Sequence, residues 1–150
     1  MAKAQVMDEA QQSDTFIEVD LSNTNTISLP EVGEQLVRCK TMKPITGDAG
    51  KVRLFMVLEV VGQEYWSDIF HTLWLPYKDD EPKQQAEATT KILEACEAFG
   101  IGHVPGGFDP NMFLGNETYA IIGHRENKQL GRTEGYIQRW SAGSDPSDEV

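Results

Sequence analysis

The amino-acid sequence predicts a mostly β domain, five strands closed into a small barrel with one helix between the third and fourth. Three observations predict it. Within residues 51–61 every second residue from Val52 to Val60 is apolar, an unbroken period-two face. The stretch from Pro82 to Gly100 is the one long run of helical periodicity. Clusters of Gly, Pro, Asn and Asp separate the remaining short apolar runs.

Each element has its own justification. Residues 36–42 (LVRCKTM) form the first expected strand, with Val37, Cys39 and Thr41 on one face and Leu36, Arg38 and Lys40 on the other. Pro44 to Gly50 supplies a turn. Residues 51–61 form the second strand: Val52, Leu54, Met56, Leu58 and Val60 make one apolar face, opposite Arg53, Phe55, Val57 and Glu59. The third strand spans residues 65–75. Trp66, Phe70 and Trp74 share one face, and Ile69 and Leu73 the other, so this strand has two things to contact.

Pro82 suits the first helical position, with Asp80 or Glu81 before it. Ala88, Ile92, Ala95 and Phe99 recur at helical spacing, Leu93 and Cys96 widen the stripe, and Gly100 stops the helix. Residues 118–123 and 133–140 form strands four and five around a turn that carries Lys128. This order is the layout of an OB-fold barrel, with another small barrel or an open α+β sheet as the alternative. Residues 1–15 are expected to be a disordered arm, residues 16–140 the folded domain, and residues 141–150 a flexible acidic tail.

The chain has 150 residues, enough for one domain with a core that needs no staples. Its mean hydropathy is -0.42. The apolar run at residues 54–61 is interrupted by Glu59, and residues 1–14 lack the apolar centre of a secretory signal. Cys39 and Cys96 are expected as buried, reduced thiols. These features place the expected protein in the cytoplasm, with no membrane partner. The net charge of -11 opposes contact with polyanions in bulk. Its distribution is uneven, however. Arg38, Lys40, Lys43, Lys51 and Arg53 stand against Asp48 alone, and Arg125, Lys128, Arg132 and Arg139 cluster near the end.

No catalytic motif is present: no HExxH, no paired Cys-x-x-Cys, no G-x-S-x-G and no Walker lysine loop. Asp68 and His71 are three apart on an expected strand and face opposite ways. The expectation is a binding protein, not an enzyme, with no cofactor and no metal. Cations that track phosphates and aromatic faces that stack on bases are the two ingredients of single-strand binding. Both fall on the expected strands. The candidate nucleic-acid-binding residues are Arg38, Lys40, Lys51, Arg53, Phe55, Trp66, Phe70, Trp74, Arg125, Lys128, Arg132 and Tyr136.

Four stretches also carry a resemblance: residues 16–40, 51–75 (KVRLFMVLEVVGQEYWSDIFHTLWL), 88–101 (ATTKILEACEAFGI) and 113–140 (FLGNETYAIIGHRENKQLGRTEGYIQRW). In order and spacing they resemble the small OB-fold single-stranded DNA-binding proteins of tailed bacteriophages. That resemblance implies sequence-tolerant coating of single-stranded DNA in phage replication or recombination, inside the host cytoplasm. It departs from the family at residues 64–68 (EYWSD), which are acidic and aromatic, and at Gln35. The expected partners are single-stranded DNA and, through the acidic tail, replication or recombination proteins. A homo-oligomer is compatible with the sequence. The competing reading is a small β-barrel that serves as a protein-interaction or virion structural protein.

Overall fold

A computed structural model describes residues 15–22 and 26–141. The arm before residue 15 and the acidic tail from residue 142 lie outside the described residues. The elements are β1 (Gly33–Thr46), β2 (Val52–Val60), β3 (Ile69–Trp74), α1 (Pro82–Phe99), a short 3-10 helix (Pro110–Phe113), β4 (Glu117–Asn127) and β5 (Arg132–Trp140). The strands make one antiparallel sheet in the order β3-β2-β1-β4-β5.

The mostly β composition, the five strands and the placing of the helix after β3 agree with the sequence. The closed barrel does not form. β3 and β5 are the two ends of the sheet and do not pair with each other. They approach through side chains instead: the His71 and Trp140 rings meet edge to face at 5.2 Å. These rings occupy the place where a closing ladder would run, and α1 covers it from the core side. The molecule is therefore an open α+β sheet, and the expected OB-fold barrel is corrected on that point.

The alternation on β2 sets the core. Leu54, Met56, Leu58 and Val60 are buried, together with Ile69 and Leu73 from β3. On β1 the expected face of Val37, Cys39 and Thr41 breaks after Cys39. The register with β2 shifts between Cys39 and Thr41, so Met42 is buried in place of Thr41. The extra residue at Lys40 reverses which side chains point inward, as a β-bulge does.

Helix α1 begins as its sequence predicts, with Pro82 following Glu81, whose N–H donates to the Gln84 side chain at 3.2 Å. It ends at Gly100, whose φ of 70° suits glycine. Ile92, Ala95, Cys96 and Phe99 are buried, while Leu93 at the edge of the stripe is exposed. Phe99 meets Phe113 and Trp140 edge to face, each at 5.2 Å. Phe113 is fully buried, a core position that the irregular segment before β4 does not announce.

Residues 26–32 tie the front of the chain to both sheet ends. Ser28 N–H donates to the Tyr65 carbonyl at 2.9 Å, and Ser67 N–H donates to the Ser28 carbonyl at 2.7 Å. Pro30 is buried against Gly135 of β5, where an added Cβ would lie 2.7 Å from the Pro30 ring. Cys39 and Cys96 are buried and unpaired, and burial pushes the Cys39 thiol up to about 11. No helix among the described residues is long and apolar enough to cross a membrane.

Candidate functional site on the outer face of the sheet

The side of the sheet opposite α1 carries the most distinctive surface. Register places Arg53 beside Trp74, Phe55 beside Thr72 and Val57 beside Phe70. Lys43 of β1 pairs with Phe55 from the other side. Phe55 and Phe70 stack with centroids 5.6 Å apart and planes 15° apart. The Arg53 guanidinium lies 5.9 Å from the Phe55 centroid, and the Lys51 ammonium 5.2 Å from that of Trp74. Phe70 and Trp74 keep 45% and 47% of their surface exposed, a large outlay for rings on a rigid sheet.

The structure brings Lys51, Arg53, Phe55, Phe70 and Trp74 together and sends other candidates elsewhere. Trp66 precedes β3, bridges to Ser28 and packs half-buried against the core, meeting the patch only at its edge, where it lines a cleft with Phe70. Lys128 is exposed in the turn between β4 and β5. Tyr136 is half-buried beneath Arg125, whose guanidinium lies 4.8 Å from its centroid. Arg132 approaches from the other sheet end: it lines a cleft of about 640 Å³ with Lys40, Trp66, Asp68, Phe70 and Glu134.

Most of the candidate cations are already neutralised. Arg38 is held between Glu117 at 2.8 Å and Glu59 at 3.2 Å. Lys40 pairs with Asp68 at 3.0 Å, Lys51 with Asp80 at 3.2 Å and Arg125 with Glu134 at 3.0 Å. Hydrogen bonds donated to Glu117 and Asp68 raise the Arg38 and Lys40 pKa values, while those that Glu134 accepts from Asn127 and then Arg125 lower its own. Four cations thus face five carboxylates. Phosphate binding draws its free energy from cations that release counterions, and a cation already paired with a carboxylate has to break that pair first. Lys43 and Arg53 make no ion pair among the described residues. This balance and the open sheet overturn the expected single-stranded DNA-binding function.

The sequence reading missed a second feature, the seam between β3 and β5. A cleft of about 390 Å³ there is lined by His71, Leu73, Lys91, Ile137, Arg139 and Trp140, among others. His71 is largely buried, and that burial, with Lys91 and Arg125 nearby, pushes its imidazole down to about 4. The apolar face shared by Ile69 and Leu73 was a signal that something packs there, but residue spacing could not show that the two ends meet. Among the described residues no group of His, Cys, Asp and Glu could hold a metal ion.

No protein-family model and no curated protein sequence matches the chain. With the sheet open, the resemblance to the phage single-stranded DNA-binding family has no support from fold or from sequence comparison, and that assignment is withdrawn.

Proposed function

We propose that this is a non-catalytic protein-interaction domain, whose outer sheet face docks an acidic protein segment with apolar side chains. The observation that carries this reading is the exposed pair Phe70 and Trp74, set on a β sheet beside Lys43 and Arg53, which make no ion pair among the described residues. Exposed aromatic rings with a neighbouring arginine are the composition of interface centres. The Phe70 ring is held by its stack on Phe55 and Trp74 by the sheet register and the Lys51 ammonium over its ring, so little side-chain freedom is lost on docking. Lys43 and Arg53 select acids over bases in the partner. A non-catalytic role is supported by the scatter of the histidines: His71 lies in the seam, and His124 Nε2 is 2.6 Å from the Pro30 carbonyl oxygen.

The test uses two synthetic peptides, one alternating Asp and Phe and one alternating Lys and Phe, titrated against the full chain. The acidic peptide is expected to bind, and Phe70→Ala and Trp74→Ala each to weaken it about tenfold, or roughly 1.4 kcal/mol, without unfolding the protein. Equal binding of both peptides overturns the reading. So does an unchanged affinity in both variants, or displacement of the acidic peptide by a single-stranded oligonucleotide.

A further inference from the structure

We propose that the cavity between α1 and the loop of residues 102–108 binds an uncharged, mainly apolar small molecule. The reading begins with the end of the helix. Gly100 stops α1, and the Ile101 N–H donates to the Cys96 carbonyl at 2.8 Å. The chain then returns beside the helix, so that residues 103–108 face Thr89, Ile92, Leu93 and Cys96. The loop stands off α1 and leaves a cavity of about 690 Å³, within the usual range of small-molecule sites.

The wall of this cavity is built, not slack. Val104 and Gly107 exchange two backbone hydrogen bonds of 3.0 Å each around Pro105 and Gly106, a tight turn that proline presets. Both ends of the loop are anchored: Ile101 is buried, and Phe108 meets Phe113 edge to face at 6.3 Å. Moving the loop onto the helix would strain these contacts. Ile92 and Cys96, both buried, form the floor, and Leu93 and Val104 stand at the rim with 41% and 66% of their surface exposed.

Charge decides the chemistry of the occupant. Among the described residues that line the cavity there is no Asp, Glu, Lys or Arg. Charged residues are 25% of the chain, and the other clefts show it. The seam cleft carries Lys91, Glu94, Glu97 and Arg139, and the cleft at Arg132 also holds Lys40, Asp68 and Glu134. An ion entering the uncharged cavity would lose hydration and gain no counter-charge. An apolar group entering it would leave water and cover Leu93 and Val104 as well.

Two side chains can orient such a molecule. His103 makes no hydrogen bond among the described residues, and the Thr89 hydroxyl donates to the Gln85 carbonyl at 3.0 Å, which leaves its oxygen to accept. Gly106 fits the same reading. Its φ lies outside the left-handed region, and an added Cβ would meet nothing within 4 Å. Neither backbone conformation nor internal packing asks for glycine there, whereas close approach of a ligand to the backbone does. The cavity shares no residue with the outer-face patch, and this inference does not depend on the partner proposed there.

Fluorescence titration of the full chain with 1-aminoanthracene, a neutral aromatic probe that brightens in dry surroundings, tests it. The probe is expected to bind and to be displaced by 1-octanol. Octanoate and octylammonium, the same chain with a charge, are expected to need at least about tenfold more. Leu93→Glu puts a charge at the rim and is expected to weaken the probe about tenfold, with little change in melting temperature because Leu93 is not part of the buried core. Proton NMR of the natural chain fixes the location: 1-octanol is expected to shift the ring resonances of His103 and to leave those of His71 and His124 in place. A natural chain that takes up neither the probe nor millimolar 1-octanol overturns the proposal. So does equal displacement by the octyl compounds, a folded Leu93→Glu protein with natural affinity, or a His103 resonance that does not move.

Discussion

On β2, Leu54, Met56 and Leu58 point to one side of the sheet, and Arg53, Phe55 and Val57 to the other. The first set is buried in the core cluster that also holds Ile92, Ala95, Cys96 and Phe99 of α1; the second remains half-exposed. Both faces arise from the same alternation, and both carry large apolar groups. They differ in what the chain provides to cover them: a helix with an apolar stripe on one side, nothing among the described residues on the other. Burial on the covered face contributes to folding. The rings on the open face keep surface in water, and their apolar area is available to a partner.

The largest expected effect tests the covered face. Leu58→Ala should lower stability by roughly 2–5 kcal/mol in urea unfolding, since Leu58 is fully buried and a cavity would remain. Val57→Ala, one residue away on the open face, should cost well under half as much. Similar costs for the two would erase the distinction between the faces.

Acid tests the seam next to the covered face. The folded pKa of His71 is depressed to about 4 from 6.5 by burial, then by Lys91 and Arg125. A depressed base is protonated first in the unfolded chain. Its stability is therefore fully present above pH 6.5 and lost as pH falls toward 4, by roughly 3 kcal/mol over that window. Urea unfolding at stepped pH should show this slope, and His71→Gln should flatten it. A His71→Gln protein with the same acid slope as the natural one would remove the imidazole from the account.

Smaller effects are expected on the open face. Phe70→Ala should cost roughly 1 kcal/mol, mainly the stack on Phe55, which thermal melts can resolve. Lys51→Ala should cost below about 1 kcal/mol, because the Lys51–Asp80 pair is partly solvated, and the difference should shrink in high salt. A larger loss at Lys51 would mean that the ion pairs hold the open face together.

The sequence made the five strands and the helix legible, because each rests on local periodicity, while β3, apolar on both sides, left its facing open. Ile69 and Leu73 are buried, and Phe70 and Trp74 exposed, as the alternation implies. It could not show what lies across strands. Arg38 reads as a free cation until β4 brings Glu117 beside it from 79 residues away. Lys40 and Lys51 likewise meet Asp68 and Asp80 through folding, not spacing. The count of basic residues along the chain therefore overstated the positive character of the sheet. The barrel was overstated for a related reason. Strand order fixes which strands are neighbours, but whether the last pair closes depends on side chains such as His71 and Trp140 at the seam.

The position of β1 has a consequence for how the protein folds. β1 pairs with β2 along residues 37–46 and with β4 along residues 33–38, so it alone joins the two halves of the sheet. β2 with β3, and β4 with β5, are joined by short connections and can form early. Joining β1 to β4 closes a loop of 79 residues at Arg38 and Glu117, an ordering cost met before the contacts reward it. We expect this closure to limit the rate of folding. Val37→Ala, at the point where both pairings overlap, should then slow refolding, whereas Ile92→Val on α1 should chiefly speed unfolding. Stopped-flow kinetics of the two variants across denaturant concentration checks this order, and an equal division between folding and unfolding rates in both would refute it.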